Sequence, residues 1–75
     1  MRGEKPIWFT EHAVKRLLAL NLTEEDAVKA ITEGKRTAEG KVKFKALIRT
    51  KKGFIIVTCA QYPDHIKVIT VSRRR

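Results

Sequence analysis

The sequence predicts an α+β domain in which two helices pack on one face of an antiparallel sheet. Three observations lead to this prediction. Apolar residues recur at helical spacing in the first half of the chain, and their spacing changes to strict alternation after Gly34. The helical and strand segments also form separate runs, which is typical of α+β domains. With 75 residues, the chain is expected to form one domain over residues 1–75.

The first half is predicted to contain a short edge strand and two helices. Residues 6–9 are apolar and begin with proline, which is tolerated at the start of a strand. Thr10 is the predicted N-cap of an amphipathic helix over residues 11–20. Thr23 opens a capping box and a second helix, because an acidic residue follows three positions later. Gly34 is expected to end that helix.

The second half is predicted to form three strands. Residues from Lys41 onward alternate between polar and apolar side chains, which favours a strand with one buried face. The next apolar run is nearly continuous, as expected of a central strand. In chain order we expect a mobile loop over residues 35–40, a strand over 41–49, a hairpin turn at 51–53, a central strand over 54–60, a turn at 62–64 and a last strand over 66–73.

Positive charge is concentrated in the second half of the chain. The sequence holds 17 Lys and Arg against 8 Asp and Glu, a net charge of +9. Residues 1–34 hold five basic and six acidic side chains, whereas residues 35–75 hold twelve basic and two acidic ones. This asymmetry favours a surface that binds a polyanion such as nucleic acid. The alternative is a solvated surface on which lysines maintain solubility.

Composition excludes several classes of protein. No apolar run approaches the roughly 18 residues that a membrane span needs, and the first residues lack the apolar core of a secretory signal, so a cytoplasmic protein is expected. One cysteine cannot form an internal disulfide, and with two histidines it supplies too few ligands for a structural metal site. We therefore expect no metal, no cofactor and no membrane partner. The low amide content and 33% charged residues are compatible with a thermophilic source.

The predicted nucleic-acid-binding residues lie mainly on one face of the strands. Alternation places four cations of the first long strand on one side of the sheet. Lys67 and Arg73 are six residues apart, so they should share a face of the last strand. The alternative for the lysines is protection of an edge strand against aggregation. The predicted binding residues are Lys41, Lys43, Lys45, Lys67, Tyr62 and Arg74.

Three other aromatic or titratable positions are expected to be structural. Trp8 is predicted to be a core or interface residue, since it lies in a short apolar segment. His65 follows Asp64 in a turn, where a solvated side chain is the default. Cys59 falls within a buried strand and is expected to be an inert core residue.

The helical half carries a resemblance to a known family. The two segments concerned are Phe9-Thr10-x-His12-Ala13-x-x-Arg16 and Leu22-Thr23-Glu24-Glu25-Asp26-x-x-x-Ala30-Ile31. They resemble the opening of a family of small prokaryotic domains of unknown function. The order of elements is also similar to BrnT-type toxins and, more distantly, to the RelE/ParE superfamily. The close of the chain, Val68-Ile69-Thr70-Val71-Ser72-Arg73-Arg74, resembles the last BrnT strand.

The resemblance implies a RelE-like fold and a toxin-like endoribonuclease. Such a protein would cleave messenger RNA, often on the ribosome, and would be held by an acidic antitoxin protein. The alternative is a non-catalytic nucleic-acid-binding or regulatory module on the same fold, because function does not follow from fold. Glu39 and Asp64 fall in predicted loops, so no acidic catalytic base maps onto the strands. A homodimer is compatible with the apolar entry at residues 7–9.

Cleavage of RNA by its own 2′ hydroxyl sets the requirements for catalytic residues. The reaction needs a group that accepts a proton, a group that donates one, and cations for the charge on phosphate. His12 is a candidate because histidine is the residue type most often used as a general acid or base, and it lies one helical turn from Arg16, although Arg16 could instead pair with a nearby acid. The resembling families have an arginine near the end of the last strand. The candidate catalytic residues are Arg73, His12, Arg16 and Arg49.

Overall fold

The computed structural model describes residues 5–51 and 53–74. It contains two helices and a five-stranded sheet, an α+β architecture as predicted. In chain order the elements are β1 (Ile7–Phe9), α1 (Glu11–Ala19), α2 (Glu24–Glu33), β2 (Lys35–Ala38), β3 (Lys43–Thr50), β4 (Gly53–Gln61) and β5 (Ile66–Arg74).

The two helices begin at the predicted caps. The side chain of Thr10 accepts a hydrogen bond of 3.0 Å from the backbone N–H of Ala13 at the start of α1. At α2 the capping box is complete: the Thr23 hydroxyl accepts from the Asp26 N–H at 3.2 Å, and the Asp26 carboxylate accepts from the Thr23 N–H at 2.9 Å. These bonds satisfy backbone donors that have no partner inside the helix, so local sequence is sufficient to start both helices.

The sheet is mixed, which corrects the prediction of an antiparallel sheet. Its strand order is β1-β5-β4-β3-β2, and β4 is the central strand, as predicted. Strands β2 to β5 pair antiparallel, but β1 pairs parallel with β5, with Ile7 opposite Ile66. Parallel pairing is allowed because the connection from β1 to β5 contains both helices and three strands, whereas a short hairpin would have enforced antiparallel pairing.

The segment predicted as a loop over residues 35–40 contains an edge strand. Strand β2 pairs antiparallel with β3, from Lys35 opposite Leu47 to Ala38 opposite Phe44. All four β2 residues are exposed, so they show no alternation of apolar and polar side chains that sequence analysis could detect. Strand β3 begins at Lys43, and Lys41 therefore lies in the preceding bend rather than in the strand as predicted.

Gly34 allows α2 and the sheet to approach closely at this junction. A Cβ atom on Gly34 would lie 2.4 Å from the carbonyl oxygen of Leu47 and 2.5 Å from that of Ala30. Both obstacles are backbone atoms, so a larger residue would require the helix or the strand to move. Glycine is therefore needed here for close packing as well as for ending the helix.

One hydrophobic cluster joins both helices to one face of the sheet. Ala13 and Leu17 of α1 and Ala27, Ala30 and Ile31 of α2 are buried. Strand register places the sheet residues of this cluster on a single face, which we call the core face. The core face carries Phe44, Ala46, Ile55, Val57, Cys59, Ile66, Val68 and Val71. We call the opposite face, which carries Lys43, Lys45 and Arg49, the lysine face.

A bulge in β5 overturns the prediction that Lys67 and Arg73 share a face. Cys59 of β4 is opposite Val68, but the preceding residue of β4 is opposite Thr70, so β5 holds one extra residue, Ile69. An extra residue reverses the alternation of every side chain that follows it. Lys67 consequently lies on the lysine face, whereas Arg73, which is paired with Ile55, lies on the core face.

Within the described residues, neither helix has the length and apolar character needed to cross a membrane.

Candidate nucleic-acid interface

The lysine face is the most strongly charged surface of the sheet. Cross-strand pairing places cations from three strands, β2, β3 and β5, on it, and none of the five strands contains an acidic residue. Four of the predicted binding residues therefore share this face, although Lys41 precedes it and Tyr62 lies in the turn after β4. The cations of the lysine face are Lys35, Lys43, Lys45, Arg49, Lys67 and Arg74.

The middle of the lysine face is apolar. Leu47 is paired with Ile56, and both side chains are half-buried. Phe54 lies between Arg49 on β3 and Arg74 on β5, and the Arg49 guanidinium carbon is 6.0 Å from the Phe54 ring centroid. The face thus combines apolar contact area with flanking positive charge, a combination that suits a ligand with both rings and phosphates.

One acidic side chain reaches the lysine face from the β2–β3 loop. A carboxylate oxygen of Glu39 lies 3.4 Å from the Lys45 ammonium nitrogen. The two side chains are 39% and 47% exposed, so water screens the pair and its contribution to stability is small. Lys45 therefore remains able to exchange this partner for a phosphate.

Three rings form a stack at one corner of the lysine face, which we call the Trp8 stack (Trp8, His65 and Tyr62). The Trp8 and His65 ring centroids are 3.9 Å apart, with 19° between the ring planes. His65 and Tyr62 are 4.7 Å apart at 23°. Trp8 is opposite Lys67, which places the tryptophan on the lysine face. Trp8 is 52% exposed, so it is not a core residue, whereas the interface role that was the other expectation stays a prediction.

Asp64 orients the histidine of the Trp8 stack. Its Oδ1 lies 2.8 Å from His65 Nδ1, and the His65 side chain is 14% exposed, which corrects the expectation of a solvated turn residue. The hydrogen bond from His65 is the main cause that lowers the pKa of the Asp64 carboxyl. No local pattern signalled this stack, because Trp8 and His65 meet through the pairing of β1 with β5. The available signal was composition: a Trp and a Tyr in a chain with few aromatic residues.

The predicted catalytic residues do not come together. His12 is exposed on the first turn of α1, and Arg49 lies across the sheet on the lysine face. Arg16 donates from Nε to the backbone oxygen of Val71 at 3.2 Å, a structural contact with β5. Arg73 lies on the core face, in a hollow that Asn21 and Asp26 also line. These four residues therefore do not form a single site.

The described residues contain neither a cluster of metal ligands nor a reactive thiol. Residues 5–51 and 53–74 contain no group of three or more His, Cys, Asp or Glu side chains that could hold a metal ion. Burial raises the pKa of the Cys59 thiol to about 12. This effect outweighs the positive charge of Arg36, which lowers the same pKa by a smaller amount. A thiol with that pKa stays protonated at neutral pH and is a poor nucleophile.

The fold and the lysine face define a small α+β domain with a basic sheet surface and an aromatic corner. Comparison with known families shows that the chain belongs to DUF4258, a domain of unknown function, whose match covers residues 9–73. No curated protein and no solved structure matches the chain. The predicted membership of a domain family of unknown function is thus confirmed, while the resemblance to BrnT and RelE/ParE toxins stays a prediction.

Proposed function

We propose that the protein binds RNA on its lysine face. The observation that carries this proposal is the placement of six cations on one sheet face whose strands contain no acidic residue. Phosphate contacts by such side chains supply most of the affinity for a nucleic acid. The half-buried apolar strip of Leu47, Phe54 and Ile56 would contact bases or sugars between the phosphates.

RNA is favoured over other polyanions for two reasons. A sheet face that combines rings with cations suits unpaired bases, which are more often available in RNA. The resemblance to RelE-like toxins also implies messenger RNA as the substrate and a ribosome-associated setting. Binding does not require the four predicted catalytic residues to meet, so the non-catalytic alternative agrees best with the geometry.

The test compares two double variants that lose the same charge. Lys43→Ala/Lys45→Ala removes two cations from the lysine face, whereas Lys15→Ala/Lys29→Ala removes two exposed cations from the helices. The measurement is fluorescence anisotropy of a labelled 12-nucleotide RNA over a series of salt concentrations. Each lost phosphate contact should reduce the salt slope by about 0.7, so the first variant should bind roughly 25-fold more weakly at 0.1 M salt.

The control variant distinguishes a site from general attraction. It should bind within about threefold of the wild type, because its lost charges lie away from the proposed contacts. Equal losses in the two variants would contradict a site on the lysine face. If the wild type binds no RNA at low salt, the proposal fails, and the acidic antitoxin implied by the resemblance becomes the occupant to examine.

A second candidate function is RNA cleavage, favoured by the Asp64–His65 pair beside Tyr62. Asp64 engages Nδ1, so Nε2 of His65 is the atom for proton transfer. Nε2 would accept the 2′ hydroxyl proton while the 2′ oxygen bonds to phosphorus. The bond from phosphorus to the 5′ oxygen then breaks, and the departing oxygen takes a proton from water. The products are a 2′,3′-cyclic phosphate and a 5′ hydroxyl.

A cleavage time course on a denaturing gel separates this candidate from binding alone. Wild type and His65→Gln would be incubated with RNA, with and without ribosomes. Discrete products that His65→Gln fails to form would support the ribonuclease. Intact RNA in every lane, with binding established by anisotropy, would leave the protein as a binding module.

A further inference from the structure

We propose that Trp8 is a stacking platform for an unpaired nucleobase, so that the ligand of the lysine face is single-stranded RNA. This inference rests on the proposed RNA binding and names the kind of RNA involved. It is carried by the geometry of the Trp8 stack and by its place in the sheet.

Strand pairing and a ring stacked on one face hold the Trp8 indole in place. Strand β1 pairs with β5, and this pairing positions the Trp8 backbone opposite Lys67. The His65 ring covers one side of the indole, with 3.9 Å between the ring centroids, and the Tyr62 ring in turn stacks on the imidazole at 4.7 Å. Asp64 fixes the imidazole through Nδ1. A ring that is already oriented loses little freedom when a ligand stacks on it.

The exposure of Trp8 is unusual for its size. A tryptophan normally covers a large apolar area inside a core or an interface. Here 52% of the residue stays exposed although His65 already covers one ring face, so the exposed part includes the opposite face. Trp8 lies on the edge strand β1, and the sheet order ends there. The free ring face is therefore accessible from the edge of the sheet.

A row across the sheet links this ring to the lysines. From β1 to β3 the paired residues are Trp8, Lys67, Ala60 and Lys43. Adjacent strands are about 4.8 Å apart, so the row spans roughly 14 Å from the indole to Lys43. Ala60, which lies between the two lysines in this row, has a small side chain and is 3% exposed. An RNA single strand with one base stacked on Trp8 would thus place its backbone phosphates within reach of the ammonium groups of Lys67 and Lys43.

Stacking selects the class of nucleic acid. A base in a duplex is covered by its neighbours, so an aromatic platform binds bases that are unpaired. Stacking of one base on an aromatic side chain is worth on the order of a tenfold gain in affinity, with little dependence on sequence. We therefore expect a preference for single-stranded RNA over the same sequence in a duplex, with weak discrimination among bases.

The test uses the fluorescence of Trp8, because it is the single tryptophan in the chain. Wild-type protein would be titrated with an unlabelled 12-nucleotide single strand and, separately, with its duplex. We expect saturable quenching by the single strand at concentrations that match the anisotropy binding curve. The duplex should bind at least fivefold more weakly and leave the fluorescence nearly unchanged. This measurement needs no substitution, so it does not depend on how a variant folds.

Variants provide the second part of the test. Trp8→Ala should weaken single-strand binding about tenfold and abolish the preference over duplex, whereas Trp8→Phe should retain most of the affinity. Leu18→Ala is the matched control, because Leu18 is an exposed apolar residue, 73% accessible, on α1. It should bind RNA like the wild type.

The failures of the two proposals are distinguishable. If Trp8→Ala binds as tightly as the wild type while Lys43→Ala/Lys45→Ala is weakened, the stacking platform is wrong and RNA binding on the lysine face stands. Equal affinity for single strand and duplex, with unchanged fluorescence, would overturn the platform in the same way. If neither RNA binds the wild type, the proposed function itself falls.

Discussion

At the scale of single residues, burial determines what the chemistry-bearing side chains can do. Cys59 lies in the central strand β4 and is completely buried in the core. Burial raises the pKa of its thiol from an ordinary value near 9 to about 12, so the nucleophilic thiolate is absent at neutral pH. The expectation of an inert core residue agrees with this environment.

We predict that Cys59 is protected from thiol reagents in the folded protein. At pH 8 the native chain should react with a disulfide reagent at least a hundredfold more slowly than the chain in urea, because reaction requires unfolding. The measurement is the rate of release of the coloured thiolate. Equal rates in the two states would contradict the buried position.

The same pKa gives a direction for alkaline stability. The unfolded thiol begins to ionise near pH 9, whereas the folded thiol keeps its proton until about pH 12. The contribution of this group to the free energy of unfolding is therefore fully present below pH 9 and is lost as the pH rises between these values. Cys59→Ala should remove this part of the alkaline decline.

At the scale of elements, the main structural requirement is to cover the free edge of β5. Strand β1 is short and pairs with only the first three residues of β5. Beyond it, the Thr10 hydroxyl donates to the Ile69 oxygen at 3.1 Å, and Arg16 Nε donates to the Val71 oxygen at 3.2 Å. Side chains from the N-cap and from the last turn of α1 thus satisfy backbone acceptors that β1 is too short to reach.

We predict that Arg16 stabilises the fold rather than acting in catalysis. Arg16→Met keeps much of the aliphatic length and removes the donor, so it should lower the free energy of unfolding by about 1–3 kcal/mol. Lys15→Met is the matched control, since it removes the same charge from an exposed neighbour and should change stability by less than about 0.5 kcal/mol. Urea unfolding followed by circular dichroism measures both.

The opposite outcome would restore Arg16 as a candidate catalytic residue. If Arg16→Met unfolds like the wild type but loses RNA cleavage that the Lys15→Met protein retains, Arg16 is part of a catalytic site. In that case its bond to Val71 would be incidental to stability.

At the scale of the whole molecule, the charge distribution opposes folding and favours binding. A net charge of +9 is carried by 75 residues, and much of it faces one side of the sheet. Repulsion among these cations destabilises the compact state, and a polyanion or dissolved salt relieves it. If RNA binds as proposed, folding and RNA binding would be linked through the lysine face.

We predict that salt stabilises this protein. Raising NaCl from 20 to 500 mM should increase the midpoint of urea unfolding, because screening weakens the repulsion. The variant Lys35→Gln/Lys43→Gln, which has two fewer cations on the lysine face, should show a smaller increase. A midpoint that falls with salt would mean that ion pairs such as Glu39–Lys45 dominate the electrostatics of the fold.

The sequence alone determined the features that depend on neighbours along the chain. The caps at Thr10 and Thr23, the end of α2 at Gly34, the alternation in β3 and the central apolar strand were all predictable, since each follows from contacts within a few residues. The concentration of cations on the alternating face of β3 was predictable for the same reason. Together, these features predict both helices and the three long strands.

Tertiary structure decided the features that depend on residues distant in sequence. Strand β2 exists because the edge of β3 offers it partners, and β1 is parallel because a long connection leaves its direction free. The bulge at Ile69 moved Arg73 to the core face, which no count of residues along the strand could reveal. Trp8 and His65 stack because β1 lies beside β5. Local propensity carries no information on such pairings, since chain folding brings these residues together only when the sheet forms.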